Sequence, residues 1–136
     1  WNGQKYGGFS TEKPWLKMTE EHPKVNAVDQ VGREGSIYQF YKEMINFRQN
    51  SEYKNCLVFG NIEPMESSEN VIAYRRYTED ESIECWFNLG VEEVTEELKD
   101  SNVEVIWGNM KQVELKQDHL TLKPFQTVLL KEKKED

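Results

Sequence analysis

The feature that most constrains the fold is a succession of short apolar segments between about residue 57 and residue 133. Residues 71–77 and 83–89 are separated by the polar run 78–81, which predicts a hairpin. In the second segment, apolar residues alternate with the others at Ile83, Cys85, Phe87 and Leu89. Weaker or shorter segments follow at 91–98, 103–107, 112–116, 119–123 and 127–131. Seven or so such strands predict a mainly β fold, an antiparallel β-sandwich or barrel. The charged tail, 131–136, is expected to be frayed.

One strong helix precedes this region. Ser36 is a good N-cap, and Gln39 stands three residues later, which predicts a capping box. The 3.6-residue period then produces a single apolar stripe before Arg48 and the polar run 49–51, formed by Ile37, Phe40, Tyr41, Met44 and Ile45. Residues 1–35 contain many Gly and Pro and predict a loop, with one short helical turn at 27–31 capped by Asn26.

Composition excludes several classes of partner. The 136 residues include 17 Lys and Arg against 25 Asp and Glu, for a net charge of −8. Nucleic acids and anionic lipid surfaces need a basic footprint, so neither is expected. No apolar run approaches the ~20 residues of a membrane-spanning helix. Cys56 and Cys85 are too few for a disulfide scaffold, and both are expected in the core of a cytoplasmic protein.

The residues that could carry chemistry form no recognisable constellation. His22 and His119 have no ligand partners at metal spacing, so they are interpreted as exposed turn residues, and neither a metal nor a cofactor is expected. The carboxylates occur in runs, such as 79–81, that are typical of solvated turns. A glycosidase needs two carboxylates about 5–10 Å apart across a cleft, and nothing distinguishes such a pair here.

Aromatic residues leave two interpretations open. They make up 12% of the chain and crowd its opening at Trp1, Tyr6, Phe9 and Trp15. Aromatic rings can stack on sugars, but burial in a core or an interface is the more common role of any one of them.

The chain also resembles a known family. Residues 1–16, WNGQKYGGFSTEKPWL, are similar to the segment after the last barrel strand in α-glucosidases of glycoside hydrolase family 13. The resemblance is to the oligo-1,6-glucosidase and trehalose-6-phosphate hydrolase group of the alpha-amylase superfamily. Asn2 departs from the acidic residue that this family commonly has there. The resemblance continues in order through VNAV (25–28), SIYQFYK (36–42), Arg48, YRR (74–76), FNLG (87–90) and LKPFQT (122–127).

The resemblance implies a C-terminal fragment, as does a chain that begins at Trp1 without Met. Residues 1–52 are expected to be the rim loop and last helix of a (β/α)8 barrel, and residues 53–136 a C-terminal β-sandwich. The parent is expected to be a retaining α-glucosidase acting on α-1,6 or α-1,4 oligosaccharides or trehalose 6-phosphate. Its catalytic residues would all precede Trp1, so this chain is expected to be inactive and to support the barrel.

Three further expectations follow from the resemblance and the stripe. Trp1 and Phe9 are expected nearest to the substrate in the parent. The stripe, deprived of its barrel, is expected to pack on the sandwich or on a neighbouring copy. The alternative function is a carbohydrate-binding module that uses Trp86 or Trp107 as an exposed sugar platform.

Overall fold

A computed structural model describes residues 1–133. The chain forms two compact units, Trp1–Ser51 and Glu52–Asp136. This division lies next to the predicted boundary after residue 52. Within residues 1–133, no helix combines the length and apolar character needed to cross a membrane.

The first unit has little regular structure before its main helix. A 3-10 turn at Lys5–Gly8 and the short helix α1, Ala27–Gln30, precede α2, Ile37–Asn50. Asn26 caps α1 as predicted, because its Oδ1 accepts a hydrogen bond from the Asp29 backbone N–H at 3.1 Å. The Asn26 Nδ2 also donates to the Asp29 carboxylate at 2.7 Å. The cap therefore has the first-turn acidic partner that the sequence indicates.

At the N-terminus of α2, one of the two hydrogen bonds of the predicted capping box forms. Ser36 Oγ accepts from the Gln39 backbone N–H at 3.2 Å and donates to the Gln30 carbonyl at 2.8 Å. The Gln39 side chain does not return to Ser36 but donates to Glu43 at 3.1 Å. The prediction of a reciprocal capping box is therefore half correct. The Gln30 Oε1 takes a further helix N–H, that of Tyr38, at 3.0 Å, so α1 and the cap of α2 form one hydrogen-bonded corner.

The apolar stripe of α2 is exposed. Ile37 is 70% exposed, Tyr41 64% and Ile45 52%, while Met44 is half-buried. Within the first unit these three side chains are uncovered, and packing of the stripe on the sandwich stays a prediction. Coverage by a neighbouring copy stays a prediction.

The second unit is mainly antiparallel sheet. It begins with a π-helical turn, Asn55–Phe59, at the start of the region predicted to be β from about residue 57. Eight strands follow: β1 Asn61–Pro64, β2 Val71–Tyr77, β3 Ser82–Asn88, β4 Val94–Glu97, β5 Val103–Gly108, β6 Glu114–Lys116, β7 His119–Leu122 and β8 Thr127–Glu132. They form a five-stranded sheet in the order β1-β2-β3-β8-β5 and a three-stranded sheet in the order β4-β7-β6. The hairpin of β2 and β3 is confirmed, and β1 was not predicted.

One apolar cluster contains residues of both sheets. The five-stranded sheet contributes Val71, Ala73, Trp86, Val103, Val128 and Leu130, and the other sheet and its flank contribute Leu98, Leu120 and Leu122. Trp86 is 2% exposed and is the largest fully buried side chain of the described residues. The sequence predicts an apolar face of β3 with Ile83, Cys85, Phe87 and Leu89, and Ile83 and Cys85 are buried there. Trp86 lies on the opposite face and is buried as well, which the sequence analysis did not predict.

The other face of β3 is covered as well. Ile83 and Cys85 are buried, and so are Cys56 and Leu57 of the π-helical turn. The Cys56 thiol donates to the Arg76 carbonyl of β2 at 3.1 Å, which ties the turn to this face. Because β3 is covered on both faces, burial does not alternate along it as it does along a half-exposed strand.

Two buried amide side chains hold the loops at one end of the sheets. Asn88 Nδ2 lies 2.8 Å from the Glu92 carbonyl and 3.1 Å from the Leu122 carbonyl. Gln126 accepts from the Lys123 backbone N–H at 2.9 Å and donates to the Gln112 carbonyl at 2.8 Å. Buried amides satisfied in this way replace the backbone pairing that the loops lack.

Both edges of the five-stranded sheet are irregular. The edge strand β1 ends at Pro64, which has no backbone N–H to donate. The other edge strand, β5, shifts register on β8 between Val105 and Trp107, so Ile106 forms a bulge. At the C-terminus, Lys131 and Glu132 belong to β8, so the frayed tail predicted from residue 131 is wrong at these two positions. Residues 134–136 of that tail lie outside the described part of the chain.

Burial of Glu84 on β3 generates a prediction of pH-dependent stability. Burial raises the pKa of the Glu84 carboxyl, with nearby Glu132 raising it further against a hydrogen bond from Trp86 Nε1. Glu84 therefore binds its proton more tightly in the folded state than in the unfolded state. As pH rises from the pKa of the unfolded state to the higher pKa of the folded state, the free energy of unfolding falls. Glu84→Gln keeps an acceptor for Trp86 and should stabilise the protein at pH 7 by on the order of 1 kcal/mol.

The measurement is urea unfolding followed by tryptophan fluorescence, at a mildly acidic and a neutral pH. The increase in the free energy of unfolding caused by Glu84→Gln should be larger at neutral pH than at acidic pH. The effect of Glu93→Gln, at an exposed position, should be the same at both pH values. A gain for Glu84→Gln that is equal at both pH values would contradict the prediction.

Candidate functional site

The segment that carries Trp1 and Phe9 is a compact loop closed by its own backbone. The Asn2 N–H donates to the Gly7 carbonyl and the Gly7 N–H donates to the Gln4 carbonyl, both at 2.9 Å. Three successive residues, Tyr6, Gly7 and Gly8, have left-handed φ values of 57°, 70° and 77°. Glycine adopts this conformation without steric cost, which explains the Gly-Gly pair at this reversal.

Asn2 holds the inside of this loop. Its Oδ1 accepts from the Gln4 backbone N–H at 3.0 Å. A Cβ atom on Gly8 would overlap the same Asn2 amide, so a side chain at position 8 would displace Asn2 from this position in the loop. The residue that departs from the family pattern therefore has a structural role in this loop.

His22 links the loop to the segment before α1. Its Nδ1 lies 2.9 Å from the Thr19 carbonyl oxygen and its Nε2 lies 3.2 Å from the Gln4 carbonyl oxygen. The interpretation of His22 as an exposed turn residue is therefore wrong, because the ring is half-buried and both nitrogens have backbone neighbours. His119 is exposed as predicted and pairs with Asp118 at 2.6 Å. Within residues 1–133, no cluster of three or more His, Cys, Asp or Glu could hold a metal ion.

Trp1 and Phe9 both lie on the surface. Trp1 is 59% exposed and Phe9 69%. The Trp1 carbonyl accepts from the Val28 N–H at 3.2 Å, and the Phe9 ring stands close over Gly7. Their backbones are thus fixed by the loop while their rings are available to a partner or ligand. Their proximity to a substrate stays a prediction.

The two strand tryptophans do not form an exposed pair. Trp86 is buried in the core, and its Nε1 donates to the Glu84 carboxylate at 2.9 Å. A sugar cannot stack on a ring without an accessible face, so Trp86 as a sugar platform is wrong. Trp107 is half-buried on the edge strand β5, beside Leu129 in the register of the sheet.

The buried ionisable groups of the second unit serve the fold. Glu84 binds Trp86, and Glu96 Oε1 accepts from the Ser68 backbone N–H at 2.9 Å. Burial raises the pKa of Cys85 to about 11 and also raises the pKa of Cys56, so neither thiol has the character of a nucleophile. The prediction that both cysteines are core residues is confirmed. Sequence reasoning missed Glu84 and Glu96, since it treated the carboxylates as solvated.

Comparison with known proteins finds the family that the sequence resembles. Residues 1–58 match the family described as "Alpha amylase, catalytic domain". Over 96% of its length, the chain is 26% identical to an oligo-1,6-glucosidase of Bacillus cereus and 28% identical to an alpha-glucosidase of Schizosaccharomyces pombe. The chain is thus similar to proteins of the alpha-amylase family. It spans about a quarter of the length of these two relatives, 24% and 23%.

Solved structures have a similar fold over nearly the whole of this chain. An isomaltulose synthase from Protaminobacter rubrum matches 96% of this chain with a TM-score of 0.81 and 28% identity, over 24% of its own length. A trehalose-6-phosphate hydrolase of Bacillus licheniformis matches the same share of this chain, and 24% of its own, with a TM-score of 0.79. Its 22% identity makes that a likeness in fold alone. The resemblance on which the sequence analysis relied is thereby confirmed.

The loop that carries Trp1 and Phe9 offers a matched test of the Asn2–Gly8 contact. Gly8→Ala adds a Cβ that would collide with Asn2, in addition to the cost of left-handed φ for an L-residue, about 1–2 kcal/mol. Gly32→Ala has the same backbone cost at φ 74°, but no atom lies within 4 Å of its Cβ.

Hydrogen exchange of the Gln4 and Val28 amides measures the outcome. Gly8→Ala should accelerate exchange at both amides by about tenfold or more, and Gly32→Ala should leave both near their original rates. Equal acceleration in the two variants would mean that the contact with Asn2 is unimportant.

Proposed function

We propose that this chain is the non-catalytic C-terminal part of a retaining α-glucosidase, with a structural role in supporting the catalytic barrel. Residues 1–52 would be the rim loop and last helix of a (β/α)8 barrel. Residues 53–136 would be the C-terminal β-sandwich that follows it. The observation that carries this proposal is the exposed stripe on α2, within the region that matches the catalytic domain.

The stripe supports a place in a larger domain. A barrel helix buries one apolar face against the strands inside it, and a complete barrel needs about 250 residues. The face of α2 that would be buried in this way is presented to solvent at Ile37, Tyr41 and Ile45. Its ends are nevertheless complete, because Ser36 caps the first turn and the Ser51 N–H closes the last on Phe47.

The two sheets support the sandwich. Their apolar residues form a common cluster, with Leu120 and Leu122 of β7 beside Val128 and Leu130 of β8 and all four at 0% exposed. Two antiparallel sheets that share a core in this way are typical of a sandwich. Its proposed role is to cover apolar barrel surface and to brace the last helix.

The proposed substrate class comes from the relatives. Their names are oligo-1,6-glucosidase and alpha-glucosidase, and a protein of like fold is a trehalose-6-phosphate hydrolase. We infer that the parent acts on short α-glucosides with α-1,6 or α-1,4 linkages, or on trehalose 6-phosphate. A retaining enzyme of this kind uses two carboxyl groups about 5–5.5 Å apart, one as nucleophile and one as acid and base. Those groups are proposed to lie in the barrel outside this chain.

A reducing, cytoplasmic setting is also proposed for the parent. The supporting observation is that Cys56 and Cys85 are both free and buried. Free thiols persist in reducing compartments.

The first test of this proposal is an activity assay of the isolated chain. With nitrophenyl α-glucoside, isomaltose, maltose and trehalose 6-phosphate, it should release no product above the rate in buffer. For the parent enzyme, the sugar released first should have the α-anomeric configuration, as NMR of the nascent product would show. Hydrolysis by the isolated chain, or an inverted product from the parent, would contradict the proposal.

The stripe gives the second test. In the isolated chain, an uncovered apolar face should cause concentration-dependent association and binding of a hydrophobic dye. The double variant Ile37→Asp, Ile45→Asp should be monomeric and should bind several-fold less dye. Asn46→Asp adds a charge to the polar face of the same helix and serves as the control.

Sedimentation velocity over a wide range of concentration reads the association directly. A wild-type chain that stays monomeric and binds no dye would show that the stripe is not an apolar contact surface. That result would remove the observation on which the structural role depends.

A further inference from the structure

The loop of residues 1–9 is attached to α1 and to the segment before it through two backbone carbonyl groups. The Trp1 carbonyl accepts from the Val28 N–H of α1 at 3.2 Å. The Gln4 carbonyl oxygen lies 3.2 Å from Nε2 of the half-buried His22. The first attachment joins two backbone groups and is independent of pH, whereas the second involves an imidazole ring, which gains and loses a proton.

Both nitrogens of the His22 ring face carbonyl oxygens. Nδ1 lies 2.9 Å from the Thr19 carbonyl oxygen, and Nε2 faces that of Gln4. A carbonyl oxygen can only accept a hydrogen bond. A neutral imidazole has one N–H and one lone pair, whereas the protonated ring donates from both nitrogens. Only the protonated ring can therefore form hydrogen bonds at both contacts.

The neutral ring has to give up one of these two bonds. The contact of Nδ1 is the shorter, and its partner Thr19 lies only three residues away in the same turn. The contact of Nε2 is the longer, and its partner Gln4 lies 18 residues away. The neutral ring is therefore expected to keep its proton on Nδ1. The lone pair of Nε2 then faces the lone pairs of the Gln4 carbonyl, which repels the loop.

The charged side chains near His22 do not decide its protonation, because their charges balance. The loop, the segment of His22 and α1 carry cationic and anionic side chains in equal number: Lys5, Lys17, Lys24, Glu20, Glu21 and Asp29. Glu20 is paired with Lys17 at 3.5 Å, and the Asp29 carboxylate accepts from Asn26. In the part of the chain that the structure describes, the hydrogen-bond partners of the ring are the two carbonyl groups.

From this geometry we propose that protonation of His22 strengthens the attachment of the loop that carries Trp1 and Phe9. The protonated ring donates from Nδ1 to Thr19 and from Nε2 to Gln4. When the proton leaves to solvent, the bond to Gln4 is lost and the loop opens more often. Because the open loop offers the ring one acceptor fewer, proton binding and attachment strengthen each other. Histidine ordinarily changes charge between about pH 5 and 8, so modest acidification changes the attachment.

The consequence for the parent enzyme rests on the proposed function. Trp1 and Phe9 are the residues predicted nearest to the substrate, so acidification would order one edge of the substrate site. The attachment itself involves only residues of the first unit and needs neither a barrel nor a substrate. It can therefore be tested on this chain.

Hydrogen exchange of the Val28 amide, which donates to the Trp1 carbonyl, measures the attachment. The protection of this amide is its intrinsic exchange rate in an unstructured chain divided by the observed rate at the same pH, which removes the ordinary pH dependence of exchange. We expect the protection to be about fivefold higher at about pH 5.5 than at about pH 7.5. The Phe40 amide, which donates to the Ser36 carbonyl within α2, is the reference and should be equally protected at both pH values.

Two substitutions separate the roles of the two ring nitrogens. A glutamine amide lies near the position of Nε2, so His22→Gln supplies a donor to Gln4 that does not titrate, and protection should be high at both pH values. An asparagine amide lies near the position of Nδ1 and does not reach Gln4, so His22→Asn should keep the turn and show low protection at both. His119→Gln changes an exposed histidine of the second unit and should leave the pH dependence unchanged.

Three results would overturn the proposal. One is a wild-type protection of Val28, relative to Phe40, that is the same at both pH values. Another is a pH dependence that survives in His22→Asn. The third is a ring-nitrogen NMR spectrum that places the proton of the neutral ring on Nε2, because the bond to Gln4 would then persist without protonation. All three leave the proposed function standing, since the activity and product assays test it separately.

Discussion

The second unit depends on β3, which has a hydrogen-bonded strand on each side and packed side chains on both faces. Trp86 fills one face, and Cys85 faces the π-helical turn on the other. Because the strand is closed to water, each polar side chain on it needs an internal partner. Glu84 finds the Trp86 indole, and Asn88 finds the carbonyl groups of two loops. Ser82, where the strand begins, is the exception, because its Oγ has no hydrogen-bond partner in the described part of the chain.

The first unit differs from the second, because its polar side chains form hydrogen bonds whereas its apolar side chains remain exposed. Asn26, Gln30 and Ser36 supply caps that join α1 to α2. His22 and Asn2 fasten the loop that carries Trp1. Hydrogen bonds of this kind fix geometry but contribute only about 1 kcal/mol each, whereas burial of an apolar face contributes most of the stability of a helix. Hydrogen bonds between nearby residues therefore determine the backbone geometry of this unit. Covering the stripe would bury more apolar surface and stabilise the unit further.

Features set by neighbours in sequence were predicted well from the sequence. The caps at Asn26 and Ser36, the end of α2 and the β2–β3 hairpin depend on a few adjacent residues. Features set by distant contacts were not predicted. The strand β1 has four residues and a terminal proline, and the burial of β3 on both faces depends on the elements that cover each face. The burial of Trp86 removed one candidate site for the same reason.

The irregular edges of the five-stranded sheet have a consequence for a chain with so much exposed apolar surface. Pro64 and the bulge at Ile106 interrupt the rows of free N–H and C=O groups on which another strand could be templated. Fibril growth by cross-β stacking needs such rows to be long and regular. The association between copies proposed above would therefore use side chains on α2, and it would stop once the apolar face is covered. Crowding would then favour small, reversible clusters over filaments.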